Sequence, residues 1–258
     1  MNIIGEHIDY CGYSVLPAAI EQDMIMAYCT VEEGQEGEDQ IQLANLDKAT
    51  YPLETFTTDP HQKMYDTAHF MNYFLCGYKA ILAHDPEIKA LVTGKPKGLK
   101  ILIDSHVPPA AGLSSSSAFV VCTAVTTAHA NGVLDKIPQK RLADLTINAE
   151  RQAGTACGGM DQTISVMGEI GVAKLIEFIP NIQLFDVKVP SSCSLVVANS
   201  VTPSAKIATL GTRYNKRVVE CRFALAAMAL KAEKIENFED CEYKTFRQLQ
   251  DDLGYTFP

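Results

Sequence analysis

The chain is short of basic charge: 22 Lys and Arg stand against 31 Asp and Glu, a formal net charge of −9 over 258 residues. That balance argues against a nucleic-acid partner, which is held by a positive field. An anionic substrate then needs a local positive site, which a magnesium ion can supply. Any run of about 18 apolar residues is also lacking, so no membrane span is expected. The amino terminus, Met1 to His7, has neither the basic start nor the long apolar core of a secretion signal. None of the eight cysteines forms a Cys-x-x-Cys pair. Cys29, Cys76, Cys122 and Cys221 lie in apolar runs, which suits reduced, buried thiols of a cytoplasmic protein rather than a disulfide framework. Internal repeats and low-complexity tracts are missing too. The length allows one large or two modest domains.

What the sequence does contain is concentrated in three stretches. The first runs from Val107 to Ala118, Val-Pro-Pro-Ala-Ala-Gly-Leu-Ser-Ser-Ser-Ser-Ala. It follows an alternating segment (Leu99, Ile101, Ile103) and precedes an apolar run from Phe119 to Ala130, so it reads as strand, small-residue loop, helix. Gly112 and the serines bring no bulk, so a ligand can lie against the backbone. The N–H groups of the following helix turn and its dipole suit an anion. The hydroxyls of Ser114, Ser115, Ser116 and Ser117 add donors and a candidate magnesium ligand. No Gly-Lys-Ser/Thr follows the glycine, so this is not a Walker loop. A lone Gly-Leu-Ser also reads as an ordinary serine N-cap.

The second stretch is Gly5-Glu6-His7-Ile8-Asp9-Tyr10. Carboxylates and an imidazole so close together hold sugar hydroxyls well, although a solvated turn fits the same residues. The third is Cys157-Gly158-Gly159-Met160-Asp161-Gln162. Asp161 is either an N-cap or a base that takes the proton of an attacking hydroxyl. Glu150, eleven residues earlier near a helix end, is the candidate second carboxylate, and with a serine hydroxyl it makes the sparse protein shell magnesium uses.

Elsewhere the patterning predicts two strands within residues 14–31, an acidic loop tip over 32–40 and a strand over 41–46. Helices are predicted over 64–84, 119–130 and 141–152. In the first of these, Phe70, Phe74, Leu75, Tyr78 and Leu82 share a face that reads as core. Three β-rich segments follow, at 172–178, 182–189 and 194–198, then a long helix at about 205–235 and a final short one. The order is mixed rather than alternating, which predicts an α+β fold.

Taken together and in order, Gly5–Tyr10, Pro108–Ala118 and Gly158–Gln162 resemble the galactokinase branch of the GHMP small-molecule kinases along nearly the whole chain. The stretches Asp9–Pro17, Asn72–Gly77 and Leu175–Phe178 resemble most the eukaryotic N-acetylgalactosamine kinase subfamily. The resemblance implies a two-domain α+β GHMP kinase fold, with an amino-terminal domain over 1–188 and part of a carboxy-terminal domain over 189–258. It implies ATP and Mg²⁺ as cofactors and a small sugar as partner, with no nucleic acid or membrane, in a monomeric cytoplasmic protein. By position, Asp161 matches the catalytic aspartate, and Glu6, His7, Asp9, Gly159 and Tyr214 match sugar-binding positions. Gly112, Leu113, Ser114, Ser115, Ser116 and Ser117 match the nucleotide-phosphate loop, with Ser116 and Glu150 at the magnesium positions. Two departures accompany it. The family arginine six residues before the motif glutamate has no counterpart ahead of Glu6, and no third, glycine-rich motif precedes Pro258. On this reading both ends are shorter than in the family, and the 258 residues alone are expected to be inactive. The alternative reading is a non-catalytic sugar- or nucleotide-binding regulator.

Overall fold

A computed structural model describes residues 1–66, 69–198 and 213–255. Alternating apolar side chains build a four-stranded sheet from β3 (Met24–Val31), β4 (Gln40–Asn45), β5 (Glu54–Thr57) and β6 (Gly98–Ser105). The strand order is β3-β6-β4-β5. The β4–β6 pair is parallel, Ile41 opposite Leu99, while β3–β6 and β4–β5 are antiparallel. The connection from β4 to β6 carries β5, α1 (Met71–Leu82) and α2 (Pro86–Leu91). Ile41, Leu43, Phe56, Leu99, Ile101 and Ile103 form the buried face of the sheet. They join α1, α3 (Ser115–Ala130) and α4 (Gln139–Gln152) in one apolar core. Each of these side chains, removed from water, contributes on the order of 1.5–3 kcal/mol.

The predicted aromatic stripe is core. Phe74, Leu75, Tyr78 and Leu82 are all buried, with Phe74 stacked on Phe56 at 5.4 Å. The helix is shorter than its pattern, however. Asn72 accepts from the Tyr65 amide at 2.8 Å and donates to the Tyr65 carbonyl at 3.0 Å. One side chain thus supplies the backbone bonds a preceding helical turn would have made, and the described part of 64–70 stays outside α1. Gly77 lets α1 lie directly on α3, since a Cβ there would meet the Val120 carbonyl and stand 2.7 Å from Thr123 Cβ.

A second layer comes from β1 (Asn2–Ile4), β2 (Leu16–Pro17), β7 (Val172–Glu177) and β8 (Gln183–Lys188). Bridges Val15–Ile176 and Ala18–Ala173 join the β1–β2 segment to β7. Val15, Ile147, Ile164, Ile176 and Ile182 fill its core beneath α5 (Met160–Met167). A third cluster holds α6 (Asn215–Lys231) to α7 (Phe246–Asp252) through Leu225, Ala229 and Leu249.

Three expectations need correction. Residues 194–198 form no strand; they are exposed and pair with no strand among the described residues. The helix expected at 205–235 is α6, which ends at Lys231 before Glu233 takes a left-handed conformation, φ 55°. Its expected start, 205–212, lies outside the described residues. Cys29 is exposed, because it falls on the outer face of β3, where alternate residues point to solvent. All eight cysteines are free thiols. No helix among the described residues is long and apolar enough to cross a membrane.

The α1–α3 contact gives a direct test. Gly77→Ala is expected to destabilise the protein by about 1–3 kcal/mol through overpacking. A denaturant melt reads this as a lowered midpoint at unchanged slope.

Candidate active site

The amino-terminal motif is a tight turn. His7 takes a left-handed conformation, φ 59°, and residues 9–11 form a 3-10 turn closed at Gly12. His7 Nδ1 lies 2.8 Å from the Tyr10 hydroxyl. Glu6 is exposed, accepts from Asn2 Nδ2 at 2.9 Å and lies 3.9 Å from His7 Nε2. Its carboxylate is therefore available at the surface, not buried as a clustered motif might suggest.

Asp9 is the inward member. Its Oδ1 accepts from the Tyr10 amide at 2.9 Å and its Oδ2 from the Met160 amide at 3.4 Å. Burial pushes its pKa up, and the two amides only partly oppose that. The amino-terminal motif thereby docks on the Gly158–Asp161 loop. Gly158 makes the docking possible: a Cβ there would overlap the Asp9 carboxyl and lie 2.5 Å from the Tyr10 nitrogen. Gly159 faces the other way, with its Cβ position 2.7 Å from Ile147 Cδ1, and at φ 126° it starts α5. Asp161 therefore stands in the first turn of α5 and is not its N-cap. Its charge reaches both the Met1 ammonium and Tyr214.

Tyr214 immediately precedes α6, and its ring lies 5.1 Å from that of His7. Burial drives its hydroxyl pKa far up, and Asp9 and Asp161 add to that, so the phenol stays protonated. Two residues that patterning did not single out hold this geometry. Arg151 donates from Nε to the Cys157 carbonyl at 3.1 Å and from a terminal nitrogen to the Gly158 carbonyl at 3.3 Å. Asn215 accepts from the Ala156 amide at 3.0 Å and donates to the Gly154 carbonyl at 2.6 Å. Their spacing carries no signal, because what they bind is backbone.

The serine-rich loop is strained and open. Ala110, Gly112 and Ser114 all have positive φ, 57°, 75° and 57°. Ser114 occupies the N-cap position of α3 without a side-chain capping bond. The ordinary-cap alternative thus fails, and the first turn of a 16-residue helix keeps its N–H groups directed at the loop. Leu113, Ser115 and Ser116 are half-buried beside it.

Glu150 is 1 % exposed, contrary to the solvated residue a lone helix glutamate would be. Its Oε2 accepts from Ser117 Oγ at 2.8 Å and from Gln162 Nε2 at 2.6 Å. The serine on Glu150 is thus Ser117, one residue beyond Ser116. Glu150 Oε1 and Gln162 Oε1 are buried with no hydrogen-bond partner. Burial, followed by the charge of Glu150, pushes the thiols of Cys76 and Cys157 up to about 12. Unpartnered buried acceptor oxygens beside a helix N-terminus fit a hard cation. Among the described residues no group of three His, Cys, Asp or Glu converges as a metal cage. The donor set fits magnesium held by one carboxylate and completed by phosphate oxygens and water.

The chain is similar to known proteins along most of its length. Residues 72–169 match the family model described as GHMP kinases N terminal domain, and residues 1–30 match the galactokinase galactose-binding signature. The chain is similar to a galactokinase of Dictyostelium discoideum, 37 % identical over 250 residues, 95 % of this chain and 48 % of that protein. It is similar to a Candida maltosa galactokinase, 32 % identical over 169 residues, 66 % of this chain and 75 % of that protein. The fold resembles that of Lactococcus lactis galactokinase complexed with galactose, with TM-score 0.65, 22 % identity, 93 % of this chain and 56 % of that one. The chain spans about half the length of most of the curated relatives it matches.

Asp9 sets a pH signature. Its pKa is raised in the folded state, so the native protein binds the proton more tightly and loses stability as pH rises through the carboxylate range. Asp9→Asn does not bury a charge. Thermal melts of the two proteins are expected to diverge in favour of the variant as pH rises above the ordinary aspartate pKa of about 4.

Proposed function

The chain belongs to the galactokinase branch of the GHMP kinase family, and on that premise we propose an ATP-dependent sugar-1-kinase acting on the anomeric hydroxyl of galactose or N-acetylgalactosamine. The carrying observation is that three separate segments bring Asp9 to the Met160 amide, the His7 ring to 5.1 Å from that of Tyr214, and Tyr214 within the field of Asp9 and Asp161. Glu6, His7, Asp9 and the backbone at Gly158 and Gly159 are the sugar-side groups. Their carboxylates and imidazole accept from and donate to hydroxyls at fixed angles. Tyr214, held protonated, donates towards the same side.

The nucleotide side is the loop from Gly112 to Ser117. Its backbone N–H groups and the α3 dipole hold the phosphates, and the serine hydroxyls add donors. Ser116 and Glu150, with Ser117 on the other oxygen of Glu150, are the residues for Mg²⁺. When bound, the ion neutralises phosphate charge as the phosphoryl group moves. Asp161 accepts the proton of the anomeric hydroxyl, whose oxygen forms the new bond to the γ-phosphorus as the bond to the β-phosphate oxygen breaks. The products are a sugar 1-phosphate and ADP. Positioning and charge account for the rate, since the protein forms no covalent intermediate.

The subfamily likeness of Asp9–Pro17, Asn72–Gly77 and Leu175–Phe178 supports N-acetylgalactosamine as the preferred acceptor. The two-domain division near residue 188 is supported by the separate apolar cluster of α6 and α7.

In an active preparation Asp161→Asn keeps the thermal melt and lowers turnover by about two to four orders of magnitude. Activity within a few-fold of the parent removes Asp161 from the base role. Competition kinetics with the two sugars tests the acceptor, N-acetylgalactosamine being phosphorylated at the lower concentration; a clear preference for galactose refutes that choice. A protein that binds both sugar and ATP, yet transfers no phosphate with Asp161 intact, is the non-catalytic regulator.

A further inference from the structure

A cavity of about 490 Å³ is lined by Asp9, Tyr10 and Gly12 of the amino-terminal motif and by Cys157 and Gly158, while Glu6, His7 and Asp161 are not on its wall. Its walls are mainly apolar: Phe178 and Ile179 after β7, Val218 and Leu225 on α6, and Phe246 at the start of α7. That volume falls in the range of small-ligand sites. Arg222 and Lys244 also line it, and both residues are exposed. Lys216, Arg217, Lys234 and Arg247, on the same helical unit, each pair with a carboxylate. Like Lys231 on α6, neither Arg222 nor Lys244 forms an ion pair among the described residues. In a chain of net charge −9, two uncommitted cations sit together at one apolar opening. The one carboxylate on the wall, Asp9, is turned to the amides of Tyr10 and Met160. Arg151, a third cation on the wall, is occupied with backbone carbonyls.

We propose that this cavity is a second ligand site, adjoining the sugar position along Asp9 and Gly158, that takes a small amphipathic anion. The ligand class is a carboxylate, sulfonate or phosphate monoester on an aromatic or aliphatic body. The body enters among Phe178, Val218, Leu225 and Phe246, and the anionic head stays at the mouth between Arg222 and Lys244. Charge complementarity fixes the sign of the head, and the apolar walls fix the character of the body. The site is coupled to the adjoining one through two shared elements. Asp9 is the partition between them, and α6 carries Val218 and Leu225 into the cavity while its first residue follows Tyr214.

The chain contains no tryptophan, so F246W introduces a single indole on the cavity wall. The probe is 8-anilinonaphthalene-1-sulfonate, read by energy transfer from that indole, and the charge-reversed variant separates cavity binding from binding to exposed α6 residues such as Phe223. The transfer is expected to saturate at one probe per chain. Combining F246W with R222E and K244E is expected to weaken binding by about tenfold or more, the scale of losing two partly screened charge contacts. The uncharged analogue N-phenyl-1-naphthylamine is expected to bind more weakly by a similar factor. If F246W disturbs the α7 cap, I179W places the reporter elsewhere on the wall. Binding that does not saturate, or that charge reversal leaves unchanged, overturns the proposal. Complete displacement by galactose overturns it too, because the cavity would then be an extension of the sugar position. None of these readouts depends on phosphoryl transfer.

Discussion

The Asp9 carboxyl occupies the space that any side chain on residue 158 would fill, with one oxygen on the Tyr10 amide and the other facing the Met160 amide. The amino-terminal segment can reach the Gly158–Asp161 loop only because that Cβ is missing. Arg151 then fixes the loop by its carbonyls, Asn215 fixes its preceding residues, and α6 delivers Tyr214 to His7. The energetic cost of the arrangement is a carboxylate held against its desolvation, which burial expresses as a raised pKa. A fold selected for stability alone has no use for that charge, and a site that binds hydroxyls does.

Accounting for polar groups separates the site from the scaffold. Asp85 caps α2 with bonds to the Glu87 and Ile88 amides, and Thr245 caps α7 with a full capping box. At α3, where Ser114 and three further serines stand at the start of the helix, no side chain caps. The residues most able to satisfy that helix end leave it unsatisfied. The same holds for Glu150, which is buried with one oxygen doubly bonded and the other bare. Buried acceptor oxygens left bare in this way, as at Glu150, mark where a ligand completes the hydrogen bonding.

How much of this the sequence disclosed follows from the range of the interaction involved. Strands and helices declared themselves wherever periodicity acts over neighbours, as in β6, α3 and α4. The boundary of α1 did not, because it is set by Asn72 reaching back to Tyr65, a polar exchange that leaves no apolar pattern. The strand expected at 194–198 had suitable composition but no partner to pair with, and composition alone cannot supply one. Motif residues such as Asp9 and Glu150 were legible because their chemistry is unusual for their context. Arg151 and Asn215 were not, since their roles consist in meeting a particular carbonyl or amide that only the folded chain brings near.

The distances along the chain between partners at this site have a consequence for synthesis. Asp9 and Met160 are 151 residues apart, and His7 meets a tyrosine still further along, at 214. The main core, by contrast, draws its buried residues from the span between Ile41 and Ala149. Emerging from a ribosome, that core can close while His7 and Asp9 still lack their partners, and non-local closure of this kind is slow. The amino-terminal motif therefore waits for these partners until Tyr214 has been made. Binding competence arrives last, and the nascent protein's greatest exposure to chaperones and proteases falls in the interval when it has a core but not yet a site.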